Sequence, residues 1–88
     1  MKLMIFITLI KFRKKASEVV EVGKKIMQNL PPGVKIIATY WTLGRYDSVW
    51  IFEGKDEKDA IKLWLPAGGV IRTETLVSLS REEALKLL

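Results

Sequence analysis

The chain reads as an α+β domain in which two β-α-β halves are joined by a hairpin. Three observations predict this. Apolar periodicity alternates between strand and helix in the order β-α-β-β-α-β, proline, glycine or a capping residue marks the boundaries, and 88 residues suffice for one core. A chain this short buries only about two thirds of its unfolded surface. Residues 1–88 are therefore read as a single domain.

The first strand spans Lys2 to Ile10 and is apolar on both parities. Leu3, Ile5, Ile7 and Leu9 share one face, and Met4, Phe6 and Ile10 the other, as in a strand covered on both sides. From about Lys15 to Leu30, Val19, Val22, Ile26 and Leu30 recur at helical spacing. Glu18, Glu21, Lys25 and Gln28 take the opposite side, which makes an amphipathic helix. Pro31-Pro32-Gly33 ends it, since proline cannot donate the next backbone hydrogen bond. Val34 to Leu43 and Asp47 to Phe52 are two strands rich in β-branched and aromatic residues. Leu43-Gly44-Arg45-Tyr46 is spaced to turn one into the other. Asp56 can cap a second helix carrying Glu57 and Asp59 in its first turn and Ala60, Ile61 and Trp64 on its apolar stripe. Pro66-Ala67-Gly68-Gly69 stops that helix. Val70 to Leu79 forms the fourth strand, and Ser80 with Glu83 opens a short last helix through Ala84, Leu85 and Leu88.

These elements assemble most simply as a ferredoxin-like fold, a four-stranded antiparallel sheet in the order 4-1-3-2 with both helices on one face. The other face is then bare, yet the first three strands are apolar on both sides. So large an exposed apolar surface exceeds what a soluble monomer tolerates, so a homodimer or higher homo-oligomer through the sheet is expected.

Composition removes several chemistries. The chain contains neither cysteine nor histidine, which excludes thiol nucleophiles, disulfides, Cys/His metal sites and imidazole acid–base catalysis. No metal or cofactor is expected. The apolar opening lacks a small-residue cleavage site and is too short to span a bilayer, so it is read as a buried strand of a cytoplasmic protein without membrane contact. Sparse Asn and Gln beside abundant Lys and Glu resemble a heat-adapted composition. The net charge of +5 is concentrated in part at Lys11, Arg13, Lys14 and Lys15 around Phe12, with Lys2 at the strand start. That run fits an anionic ligand or nucleic acid, or simply a solvated loop.

The topology brings the starts of strands three and four to one end of the sheet, about 10 Å apart at ordinary strand spacing. Tyr46 and Asp47 are therefore expected near Arg72 and Glu74, with Thr8, Tyr40 and Trp41 reaching the same edge and Gly44 among them.

Thr42-Leu43-Gly44-Arg45-Tyr46-Asp47 and Val70-Ile71-Arg72-Thr73-Glu74-Thr75-Leu76 resemble the two signature stretches of the GYD domain family. The resemblance covers most of the chain and implies a ferredoxin-like, dimeric α/β-barrel-type domain. Between the signatures this chain departs from the family's longer alanine-rich helix, carrying Ile61-Lys62-Leu63-Trp64-Leu65-Pro66 and a double glycine. More distantly, the hairpin is similar to the effector-binding domain of Lrp/AsnC-type regulators, where it contributes to an amino-acid site at a dimer interface.

Three functions are compatible with these residues. In the first, a small-molecule-binding dimer, Arg45 or Arg72 holds the carboxylate of a small acidic or zwitterionic ligand and Asp47 or Glu74 holds an amine or hydroxyl. Tyr40 and Tyr46 complete that set. Against it stands a purely structural role, in which Asp47 and Arg72 or Glu74 neutralise one another at the dimer contact. The second is a cofactor-free oxygenase or isomerase with Tyr40 or Tyr46 as proton donor and Asp47 as base. The third is nucleic-acid binding through Phe6, Trp50 and Phe52 on the central strands. It is disfavoured, because the third strand lacks the glycine and phenylalanine spacing of the RNA-recognition motif. Trp41, Trp50 and Trp64 could line a flat aromatic pocket, but filling the core or interface is the better expectation for large aromatics in so small a domain. The last helix either lies over a partner or barrel end or docks another protein.

Overall fold

A computed structural model describes residues 3–88. The expected strand start at Lys2, and Lys2's part in the basic cluster, lie outside the described residues.

The elements follow the expected order: β1 (Met4–Phe12), α1 (Ala16–Gln28), β2 (Lys35–Trp41), β3 (Ser48–Gly54), α2 (Glu57–Trp64), a 3-10 turn (Leu65–Ala67), β4 (Ile71–Ser78) and α3 (Arg81–Leu85). The sheet order is β2-β3-β1-β4, the 4-1-3-2 arrangement read from the other edge, and every pairing is antiparallel. The ferredoxin-like expectation is borne out.

Local chemistry accounts for the element ends. α1 stops at Gln28, two residues before Leu30, because the Asn29 side-chain amide donates to the Lys25 carbonyl at 2.9 Å and satisfies a carbonyl of the last turn. Pro31, Pro32 and then Gly33, at φ +86°, complete the reversal. Asp56 caps α2 as expected, accepting the Lys58 N–H at 3.0 Å. Asp59 reaches back from the first turn to the Lys55 N–H at 2.8 Å. Ser80 caps α3, accepting from the Glu83 N–H at 3.1 Å.

Even-numbered residues of β1 and β3 face the helices. Phe6 and Phe52 stack there with ring centres 5.2 Å apart, and Trp64 of α2 meets the edge of Trp50 at 5.0 Å. Phe6, Trp50 and Phe52 are all buried in this layer. None of them forms a base-stacking platform on the open face, and the expectation that used them so is corrected. Gly54 has a packing reason: a Cβ there would stand 3.0 Å from the Asp59 Cβ, where α2 comes close to the sheet.

The open face carries Ile5, Ile7 and Leu9 of β1, Val49 and Ile51 of β3 and Leu76 of β4, all half-buried or exposed. β2 joins it through an irregularity. Pairing runs Ile36 to Phe52 and then Ala38 to Ile51, which leaves Ile37 as an extra residue. The parity of the strand therefore reverses at Ile37. Ala38 and Tyr40 turn to the open face, while Thr39 and Trp41 turn toward α1.

Candidate functional site

The hairpin between β2 and β3 is closed by hydrogen bonds of its own residues. Thr42 N–H donates to the Asp47 carbonyl at 2.9 Å, and the Thr42 hydroxyl donates to the Tyr46 carbonyl at 2.8 Å. Gly44 sits at φ +105°, a conformation that side-chain-bearing residues rarely adopt. This turn presents Arg45 and Tyr46 beside the end of β1.

β1 continues two residues beyond the expected end at Ile10, and that extension builds the site. Lys11 lies on the same parity as Ile5, Ile7 and Leu9, hence on the open face, directly opposite Arg72 of β4. Glu74 stands opposite Leu9 in the adjacent position of that face. Leu9, Lys11, Arg45, Tyr46, Arg72, Thr73 and Glu74 line an open cleft of about 540 Å³ at this corner of the sheet.

The cleft's electrostatics are unbalanced toward positive charge. Lys11 and Arg72 are like charges facing across an antiparallel pair, an arrangement that disfavours itself unless something intervenes. Lys11 is partly engaged: its ammonium donates to the Arg45 carbonyl at 3.2 Å and lies 4.0 Å from an Asp47 carboxylate oxygen. Glu74 accepts from the Tyr46 hydroxyl at 3.2 Å. Among the described residues, the guanidinium groups of Arg45 and Arg72 make neither an ion pair nor a hydrogen bond. Two planar donor forks thus border an accessible cleft, with a phenol–carboxylate pair beside them.

Four of the six residues singled out from the sequence therefore meet: Arg45, Tyr46, Arg72 and Glu74. Asp47 lies at the same corner but is turned to the backbone. Its carboxylate accepts the Phe12 N–H at 2.8 Å, while its own N–H donates to the Ile10 carbonyl at 2.8 Å, so it splices the ends of β1 and β3. Its ion-pair partner is Lys11, in place of the anticipated Arg72. Tyr40 shares the face but not the cleft. It occupies the row Tyr40, Val49, Leu9, Glu74 across the four strands, which puts it about 14 Å from Glu74 at ordinary strand spacing. A proton donor at Tyr40 and a base at Asp47 do not converge on one cleft. Thr8, expected at the polar edge, points the other way. It is fully buried under α2, where its hydroxyl accepts from the Trp64 indole N–H at 3.1 Å and bonds the Thr75 hydroxyl at 2.8 Å.

Lys11 is the cleft residue that sequence reasoning left in a loop. The alternation Ile7, Leu9, Lys11 with Phe12 apolar on the opposite parity was the available signal. The rest of the basic run does not line it: the Arg13 guanidinium donates to the Gly68 carbonyl at 3.5 Å, and Lys14 and Lys15 are absent from the cleft wall. Among the described residues no cluster of acidic side chains suited to a metal ion occurs, and no helix is long and apolar enough to cross a membrane.

Comparison with known proteins bears on the fold. No curated protein matches the chain. Solved structures do, among them the crystal structure of MtbAldR, with a TM-score of 0.59 at 11% sequence identity over 86% of this chain. The chain spans about half of that protein's length, 51%. At that identity the likeness speaks for the fold alone, and it agrees with the sheet order and helix placement described above. The family model for the GYD domain matches residues 8–88, which include both the Gly-Arg-Tyr-Asp hairpin and the Arg72–Glu74 strand, and the chain belongs to the GYD domain family.

Proposed function

We propose that this GYD-domain protein is a homo-oligomeric small-molecule-binding domain that takes a small carboxylate or amino-acid-like ligand at the cleft between the hairpin and β4. The observation that carries it is the pair of unengaged guanidinium groups, Arg45 and Arg72, on a cleft whose third cation, Lys11, directly opposes Arg72. A carboxylate between Lys11 and Arg72 relieves that opposition and offers Arg72 a two-point partner, with Arg45 on the same cleft as a further donor. The Tyr46–Glu74 pair supplies an acceptor for an ammonium or hydroxyl group on the same molecule. The resemblance to the effector-binding domain of Lrp/AsnC-type regulators supports a ligand of this class.

A second copy of the chain covers the open sheet face in this reading. Four strands at ordinary spacing and rise present a flat area on the order of 400 Å². That size does not by itself exclude a monomer, contrary to the expectation from sequence, but patches of that size are often interaction surfaces. Ile5, Ile7, Leu9, Val49, Ile51 and Leu76 make its centre apolar, and the cleft lies at its margin, beside the partner.

Native mass spectrometry on the purified protein, followed by thermal melts with a panel of amino acids and short carboxylates, tests both parts. The expected result is a dimer or larger assembly whose melting temperature rises with a carboxylate, a rise that Arg72→Gln removes. A panel without any effect, or an Arg72→Gln protein that responds as the parent does, refutes the ligand class. A stable monomer refutes the assembly.

A further inference from the structure

A second cavity lies on the opposite side of the sheet, between α1 and β1, β2 and β3. Its volume is about 200 Å³, and its lining includes all three tryptophans of the chain, Trp41, Trp50 and Trp64, together with Phe12. An apolar cavity of about 150 Å³ accepts benzene, so this one, which opens to solvent beside the 66% exposed Trp41, has the volume for a single aromatic ring with a substituent. The bulge at Ile37 contributes directly, because the parity it imposes swings Trp41 and Thr39 to this side.

Two features distinguish the cavity from an imperfection of packing. Ser48, only 3% exposed, lines it, and among the described residues its hydroxyl has no hydrogen-bond partner. The oxygen opens into the cavity, so its donor and acceptor capacity is available to a polar group on a ligand. The second feature is Gly23, in the middle of α1, where glycine weakens a helix by about 1 kcal/mol relative to alanine. Backbone strain does not demand it, since its φ lies outside the left-handed region, and crowding does not either: the nearest atom to a Cβ there would be Trp50 Cζ2, at 3.7 Å. What the missing side chain leaves is room over the indole.

We infer that this cavity binds a small uncharged aromatic molecule bearing one hydrogen-bonding group, with its ring among Trp41, Trp50 and Trp64 and its polar atom on the Ser48 hydroxyl. The inference is independent of the charged cleft, which lies on the other face of the sheet.

Phenol is a suitable probe, and the tryptophans report its binding when excited at wavelengths phenol does not absorb. The expected result is a saturable fluorescence change with one phenol per chain. Gly23→Leu should abolish it by filling the space over Trp50. Gly23→Ala should weaken binding while raising the melting temperature, a combination that a packing role for Gly23 would not produce. Ser48→Ala should weaken phenol about tenfold, the loss of one hydrogen bond, and leave toluene unaffected. Arg72→Gln should bind phenol as the parent does. An unsaturable response in the parent protein overturns the inference, as does a Ser48→Ala variant that loses phenol and toluene alike or neither. The Ser48 comparison stands even if Gly23→Leu fails to fold.

Discussion

Replacing Asp47 separates its structural contribution from any role in holding ligand. Its carboxylate accepts the Phe12 N–H at 2.8 Å and lies 4.0 Å from the Lys11 ammonium, and the two side chains are 33% and 53% exposed. A hydrogen bond to a charged group contributes about 1.5–3 kcal/mol when well shielded. Partial exposure brings the Phe12 bond toward the lower end of that range. The ion pair is long and solvated, which limits it to roughly 0.2–1 kcal/mol. Asp47→Ala loses both and leaves the Phe12 N–H without its acceptor, for a total of about 2 kcal/mol. Asp47→Asn keeps an acceptor oxygen at the same reach and loses only the charge, about 0.5–1 kcal/mol. For a domain of this size 1 kcal/mol corresponds to roughly 4–8 °C in melting temperature. Thermal melts followed by circular dichroism should therefore show a fall of about 8–16 °C for the alanine variant and less than half of that for the asparagine variant. The asparagine variant should retain the parent's response to carboxylates, since Arg45 and Arg72 are untouched. An alanine variant within about 2 °C of the parent, outside the range those terms allow, would refute the splice between β1 and β3. An asparagine variant with parental stability and no carboxylate response would make Asp47 a ligand group.

Two further substitutions test the backbone and the core. Thr8→Val keeps the shape but strands the buried Trp64 N–H, so unfolding in denaturant should show a loss of about 1–3 kcal/mol; a neutral outcome would mean the indole finds another partner. Gly44→Ala meets no atom within 4 Å, so any loss it causes is conformational. At φ +105° that loss should be about 1–3 kcal/mol with the m-value unchanged, and an unaffected midpoint would show that the hairpin has another accessible form.

Most of the fold was legible in the chain because local signals and periodicity agreed at nearly every element. Pro31-Pro32-Gly33, the Asp56 and Ser80 caps and the both-sided apolar strands each required one particular element type. Their order left the β2-β3-β1-β4 sheet as the simplest assembly. The corner where Arg45, Tyr46, Arg72 and Glu74 meet followed from that topology, since strand order alone brings the hairpin to the start of β4. The direction of individual side chains was less accessible. In a strand, direction is a matter of parity, and one extra residue reverses it.

That reversal is where tertiary structure took over. Composition and spacing determined the element order, strands with apolar residues on both parities and a chemistry without thiol or imidazole. They could not place the bulge at Ile37, because a bulge is a relation between two strands and carries no local signature in β2. The bulge sends Tyr40 to the open face and Trp41 to the cavity under α1. Pairing with β4 likewise carried β1 on to Phe12, setting Lys11 against Arg72. Thr8 went inward because its position in β1 shares the parity of Phe6 and Ile10, and the Trp64 N–H and Thr75 hydroxyl were there to satisfy it.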